Sequence, residues 1–168
     1  MTGLACVTSS GQLIWSVSTG AEMYWVVIES SVLDTLSRWR QLEFLKQPEA
    51  CGILFGEIRG PHLWIKGATT PFETDFRTPI SYKRNVAGHQ DLLDQMHRSS
   101  DGRIHYLGEW HTHPERIPTP SLTDYMEWAK TSNSGKFYDR KLTFLIVGVD
   151  ENWLGVHERG LLTKAILE

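Results

Sequence analysis

The stretch "IHYLGEWHTHPERIPTPSLTD", residues 104–124, constrains this chain most, because it dictates a strand, a stop and a helix start in that order. Side chains on a strand alternate faces, so His111 and His113 point to one side. Pro114 has no N–H to give to a ladder and ends the strand. Pro118 and Pro120 carry a loop. "SLTD" then reads as a capping box, with Ser121 as N-cap and Asp124 in the first helical turn, where its carboxylate can point back at the strand end. Each piece alone has a bland reading: a His-x-His pair is often surface, and Ser-x-x-Asp is often only a cap. Together, two imidazoles and a carboxylate can reach one ion and leave a tetrahedral position open to water, the pattern of a catalytic zinc site. The ligand set also suits iron or manganese, with zinc the default.

The rest of the chain supplies a mixed domain around that unit. Val32, Leu33, Leu36, Trp39, Leu42 and Leu45 recur at helical spacing, which predicts a helix capped by Ser30 or Ser31 and stopped at Pro48. "CGILFGEI" and "HLWIKG" read as strands joined at Arg59–Gly60–Pro61. Residues 69–84 read as a long irregular crossing with two prolines. A second helix is expected over 87–98 and a third from Ser121 to "TSNSGK". "LTFLIVGV", "WLGVH" and "LLTKAI" complete the strands. Residues 1–22 have weak periodicity and read as a tail or loose strand before a domain over 23–168, with Met23 a conceivable internal start. Strands mixed with three helices indicate an α/β or α+β fold.

Composition excludes several classes. A net charge of −3 with scattered Lys and Arg gives no basic patch for nucleic acid. Two cysteines, Cys6 and Cys51, are too few and too far apart for a disulfide framework or a thiolate zinc site, so a reduced, cytoplasmic protein with Cys51 packed as a small apolar residue is expected. No Lys or Arg precedes Arg38, so the start lacks the basic region of a secretory signal. The longest apolar run, at 142–149, is too short to span a bilayer.

The residues His111-x-His113-Pro114, then Ser121-x-x-Asp124, resemble the motif of the JAMM (MPN+) metalloproteases. That family also carries Glu-x-x-Gly-x-Leu-x-Gly upstream, and "EACGILFG" places Glu49, Gly52, Leu54 and Gly56 in the matching positions. "GEWHTHP" looks most like the short bacterial Prok-JAB members, and the resemblance runs over roughly 23–166. It implies a curved, mainly antiparallel sheet flanked by helices. It also implies one zinc ion per chain with a bound water, held by His111, His113 and Asp124, with Glu49 as general base and Ser121 supporting the oxyanion. Amide hydrolysis needs such parts independently: a group that takes a proton and passes it to the departing amine, and a donor for the developing charge.

On spacing alone Glu109, two residues before His111, shares the histidine face and could be the base or a fourth ligand. The resemblance favours Glu49, with Glu109 supporting an imidazole N–H. His62, His89, His97, His105 and His157 have no ligand spacing and read as surface or packing residues. The tryptophans read as core and rim, with Trp110 placed to line the cleft.

Active members of that family cleave the bond after the C-terminal tail of ubiquitin or ubiquitin-like proteins. Bacterial relatives in antiphage operons, the CBASS-associated and Bil-type deconjugases, remove such tags, and others process sulfur-carrier proteins. The resemblance therefore implies a ubiquitin-like protein or its conjugate as partner, conjugation-enzyme or nucleotidyltransferase operon partners, and no nucleic acid or membrane. The 69–84 crossing could offer a strand edge to an extended tail. Two alternatives remain at this level: an inactive scaffold that only binds ubiquitin-like partners, and a zinc amidohydrolase acting on a small amide or sulfur-carrier adduct.

Overall fold

Near-continuous apolar runs belong in strands covered on both faces, and the two best examples set the centre of the sheet. The computed structural model describes residues 11–168; residues 1–10, with Cys6, lie outside the described residues. All six residues of "LTFLIV" are buried in one strand, and so are the first six of "CGILFGEIR" in another. In chain order the elements are β1 (Leu13–Ser18), β2 (Met23–Ile28), α1 (Ser30–Ser37), β3 (Cys51–Arg59), β4 (His62–Ala68), β5 (Phe76–Thr78), β6 (Ser81–Lys83), α2 (Val86–Ser99), β7 (His105–Thr112), α3 (Leu122–Ser132), β8 (Leu142–Val147), β9 (Asn152–Glu158), β10 (Leu161–Lys164) and β11 (Ile166–Leu167).

Nine strands form one sheet in the order β10-β9-β8-β7-β3-β4-β2-β1-β11. Among the described residues only the β2/β4 and β7/β8 pairs are parallel. β10 and β11 are separated by Ala165 alone yet sit at opposite ends of that order, so the sheet curves until its two edges meet. The main core fills this curve: Trp15 and Val17 of β1 share a cluster with Leu154 and Val156 of β9, and Val32 and Leu36 of α1 join it. On the outer face, Trp128 of α3 stacks on Phe144 and Trp153, and Leu93 of α2 packs on Ile53 and Phe55. This is the mixed, curved, mostly antiparallel sheet with three helices that the sequence implied. No helix among the described residues is long and apolar enough to cross a membrane.

Four local expectations differ from the structure. The first helix stops at Ser37, and its N-cap position is Glu29, whose side chain makes no capping bond. Leu42 and Leu45 continue its spacing but are 64% and 67% exposed, and Leu45 has φ 66°. Tertiary bonds shape residues 38–47 instead: the Arg40 guanidinium donates to Gly148 O and the Gln41 amide to Gln47 O and Pro79 O. Residues 13–18, within the segment read as a tail or loose strand, form β1, which pairs along its whole length with β2 and also with β11, so the sheet extends upstream of the boundary expected at residue 23. The 69–84 crossing contains the hairpin β5–β6, whose three-residue strands are too short to show a period. "LLTKAI" splits at Ala165 because its halves pair with opposite edges.

Candidate metal centre

Strand pairing brings the motif residues together. β3 runs antiparallel to β7 with Cys51 opposite His111, so Glu49, two residues before Cys51, falls across from His113. Partners opposite each other share a face, and a period of two keeps Glu49 and both imidazoles on it. Ala50 and Thr112 lock this register between the histidines: Thr112 N–H donates to Ala50 O at 2.9 Å, and Ala50 N–H donates to Thr112 Oγ1 at 2.9 Å. Two glycines allow the close approach. A Cβ on Gly52 would lie 2.5 Å from Trp110 Nε1. Gly108 has φ 138°, and a Cβ there would lie 1.8 Å from Thr143 O of the parallel neighbour.

The third candidate ligand arrives from α3. Ser121 is the N-cap and the capping box is complete. Asp124 Oδ2 accepts from Ser121 N–H at 2.7 Å and from Ser121 Oγ–H at 2.7 Å, while Ser121 Oγ accepts from Asp124 N–H at 3.2 Å. The capping box of "SLTD" thus also aims the Asp124 carboxylate at the two imidazoles. Asp124 Oδ1 stands 3.2 Å from His111 Nε2, and Oδ2 stands 3.4 Å from His113 Nε2. The two Nε2 atoms are 3.0 Å apart. Four bonds of about 2.05 Å in a tetrahedron put ligand atoms about 3.3 Å from one another. The imidazole–imidazole distance and the nearest carboxylate contact of each imidazole lie close to that figure, and one donor atom from each residue lies within 4.8 Å of the others, so the donor set fits a zinc ion. Among the described residues these three form the one group with metal-ligand geometry, and Glu49 and Glu109 are not in it.

The cleft beside the triad holds about 520 Å³ and is lined by Glu49, His113, Ser121 and Asp124, with Tyr82 of the hairpin and Trp128 of α3. Glu49 is 8% exposed. Burial pushes its carboxyl up to about 7, with His113 pulling it down and Asp124 pushing it up. Burial lowers His111 despite Asp124. For His113 burial works the same way, but the Asp124 carboxylate and Glu49 outweigh it and raise the group. Asp124 is held well below the usual carboxylate range because hydrogen bonds from His111, His113 and Ser121 outweigh its burial.

Other expected residues fall elsewhere. Glu109 lines the same cleft, but its carboxylate is engaged by Arg84 and by Tyr106 Oη–H at 3.1 Å rather than by an imidazole. Trp110 does not line the cleft: strand alternation turns it away from His111 into the main core, where it is fully buried and donates to Thr69 O. The tryptophan at the cleft is Trp128, and spacing could have found it, since it lies one helical turn beyond Asp124. Tyr82, whose ring lies 5.3 Å from that of His111, left no signal in the sequence. His89 and His157 are buried, and the His89 ring is held between Thr69 and Asp75. His62 stacks on Trp25. Cys51 is a buried free thiol.

The chain is similar to known proteins in sequence and in fold. Residues 29–157 match the family model described as prokaryotic homologs of the JAB domain. A CD-NTase/cGAS isopeptidase of Vibrio cholerae is 41% identical over 138 residues, covering 82% of this chain and 85% of that one. A protein of the same name from Escherichia coli is 38% identical over 130 residues, covering 77% of this chain and 80% of its own. The solution structure of protein DSY2949 from Desulfitobacterium hafniense is similar in fold, with a TM-score of 0.57 at 18% identity over 84% of this chain and 88% of that one.

Proposed function

The chain belongs to the family of prokaryotic homologs of the JAB domain, and from that premise we propose that it is a zinc-dependent isopeptidase. On this reading it hydrolyses the bond that follows the C-terminal tail of a ubiquitin-like protein. The relatives named CD-NTase/cGAS isopeptidase support a conjugate of a nucleotidyltransferase as its target. The observation that carries the reading is the cluster of His111, His113 and Asp124, with one donor atom from each within 4.8 Å of the others and the two Nε2 atoms 3.0 Å apart, beside a cleft lined by the buried Glu49 carboxyl.

His111, His113 and Asp124 would hold the zinc ion, which when bound would supply a concentrated positive charge able to acidify water and polarise a carbonyl. Glu49 lines the same cleft outside the ligand group, so its carboxylate is available to take a proton from the attacking water. It then carries that proton to the departing amine, and a group poised near neutral pH can do both. Trp128, Tyr82 and Ile80 line the cleft beside Glu49. Ser121 already donates to Asp124. When its hydroxyl turns to a developing oxyanion, the Ser121 N–H keeps Asp124 Oδ2 in place.

Ser121→Ala separates the two roles of that residue. Loss of the cap costs about 1 kcal/mol of stability, and loss of an oxyanion donor lowers turnover by about 10²–10³-fold. Thermal melts and kinetics on one preparation measure both, and unchanged turnover would leave Ser121 as a cap alone.

The substrate class is tested with fusions of a ubiquitin-like domain to a reporter, compared with free short peptides carrying the same tail. Release of the reporter should depend on the folded domain, because binding energy far from the scissile bond is what positions it. Efficient cleavage of free peptides, with no gain from the attached domain, would overturn the ubiquitin-like assignment.

A further inference from the structure

The backbone around Glu49 is tied to the β5–β6 hairpin by bonds that neither the metal triad nor the capping box explains. Glu49 N–H donates to Thr78 O at 2.9 Å, and Arg77 Nη1 donates to Glu49 O at 3.2 Å. Two residues upstream, Gln47 O accepts from Gln41 Nε2 at 2.8 Å, and the same amide donates to Pro79 O at 2.7 Å. Gln41 thus bridges the segment before Glu49 to the hairpin tip, and Arg77 bridges Glu49 itself to the strand leading there. The Arg77 guanidinium lies 5.4 Å from the Trp39 ring, and Trp39 packs against the main core.

Burial in this loop follows hydrogen bonding and not hydrophobicity. Leu42, Phe44 and Leu45 are exposed while Gln41, in the same loop, is 1% exposed. Gln41 Oε1 is itself buried with no partner among the described residues. An unsatisfied buried oxygen costs free energy, so the two bonds made by its Nε2 are what keep this side chain inside. Both of those bonds converge on the segment that presents Glu49.

We propose that Gln41 and Arg77 are positioning residues for Glu49. Together with the hairpin they hold residues 47–49 on one side, while the Ala50–Thr112 bonds hold the next residue against the ligand strand on the other. The Glu49 carboxylate is fixed relative to His111 and His113 by this two-sided grip. A misplacement of about 1 Å in a reacting group can cost on the order of a hundredfold in rate, so loss of either bridge acts on the chemical step. The kinetic part of this inference rests on the proposed peptidase function; the structural part does not.

The test uses zinc-loaded full-length Gln41→Met, Arg77→Ala and Arg77→Lys. Methionine keeps the volume of Gln41 and loses both donors; lysine keeps one donor at 77. With the fusion substrate, kcat should fall about 10- to 100-fold in Gln41→Met and Arg77→Ala, with KM within about threefold and zinc content unchanged. Arg77→Lys should retain most of the rate. Independently of any substrate, hydrogen exchange at the Glu49 amide should speed up by about tenfold or more in the first two variants, with the amides of β7 unchanged. Unchanged exchange and kcat in folded Gln41→Met and Arg77→Ala would overturn the inference, as would a rise in KM alone, which would place these residues at the substrate. If the wild-type protein cleaves no fusion, the functional reading fails while the exchange measurement still decides this one.

Discussion

Glu49→Gln is expected to lower turnover of the zinc-loaded protein by about 10²–10⁴-fold while leaving the fold and the zinc content as they are. The amide is close to isosteric with the carboxylic acid, so the packing of a side chain that is 8% exposed is kept. It cannot take a proton from water or deliver one to the amine. Zinc content should not change, because Glu49 stands outside the three-residue ligand group. The same substitution has a second signature in metal-free protein. Burial raises the Glu49 carboxyl from 4.5 to about 7, so the folded state binds this proton more tightly than the unfolded state does. Stability therefore falls as pH rises between those two values, and the cost is fully present above pH 7. Gln carries no such cost. Metal-free Glu49→Gln should be more stable than wild type at pH 8 by about 1–3 kcal/mol and show little advantage near pH 4. Glu109→Gln should affect turnover less, since that carboxylate is already engaged by Arg84 and Tyr106. An active Glu49→Gln beside a dead Glu109→Gln would show that the wrong carboxylate has been given the role of base.

What the sequence conveys here depends on how local the signal is. His-x-His followed by Pro gives a strand, its face and its end without any partner, and Ser-x-x-Asp gives a helix start; both are complete within 14 residues, His111 to Asp124. The close backbone approach at Gly52 and Gly108 shows only once the strands are paired, where a Cβ would meet Trp110 and Thr143. What could not be read rests on groups far apart in the chain. The spacing of Leu42 and Leu45 mimics a helix, but Gln41 finds Pro79, 38 residues away, and the local pattern loses to that bond. The meeting of the sheet edges depends on Ala165 falling between partners at opposite ends of the sheet. Trp110 was misplaced for a different reason: adjacency in sequence to a ligand means the opposite face on a strand. The local geometry of the motif is therefore more legible than the long-range bonds that aim it.

Replacing both candidate histidine ligands should have the largest effect of all. In His111→Ala/His113→Ala, zinc per chain should fall from about one to below about a tenth, and cleavage of the fusion substrate should be lost with it. The charge pattern of the site also predicts how binding responds to pH. His111 is held in its neutral form by burial, ready to donate a lone pair. His113 is raised by the carboxylates of Asp124 and Glu49 against its burial, so near neutral pH a proton competes for it and zinc must displace that proton. Zinc affinity should weaken as pH falls through the raised His113 value, and proton release on binding should be measurable by calorimetry in buffers of different ionisation enthalpy. Metal-free double variant is a poor folding control, because Asp124 keeps only its Ser121 partners and a buried carboxylate that loses its counter-groups is destabilising. Asp124→Asn answers this: its side-chain oxygen can still accept from Ser121 N–H and cap the helix, while the anionic ligand is gone. It also loses the bonds from His111 and His113 that hold the Asp124 carboxyl low, so metal-free it should melt below wild type while staying folded, and it should hold zinc weakly. Elemental analysis of the three proteins decides the assignment, and a full equivalent of zinc in the double variant would move the metal away from this strand end.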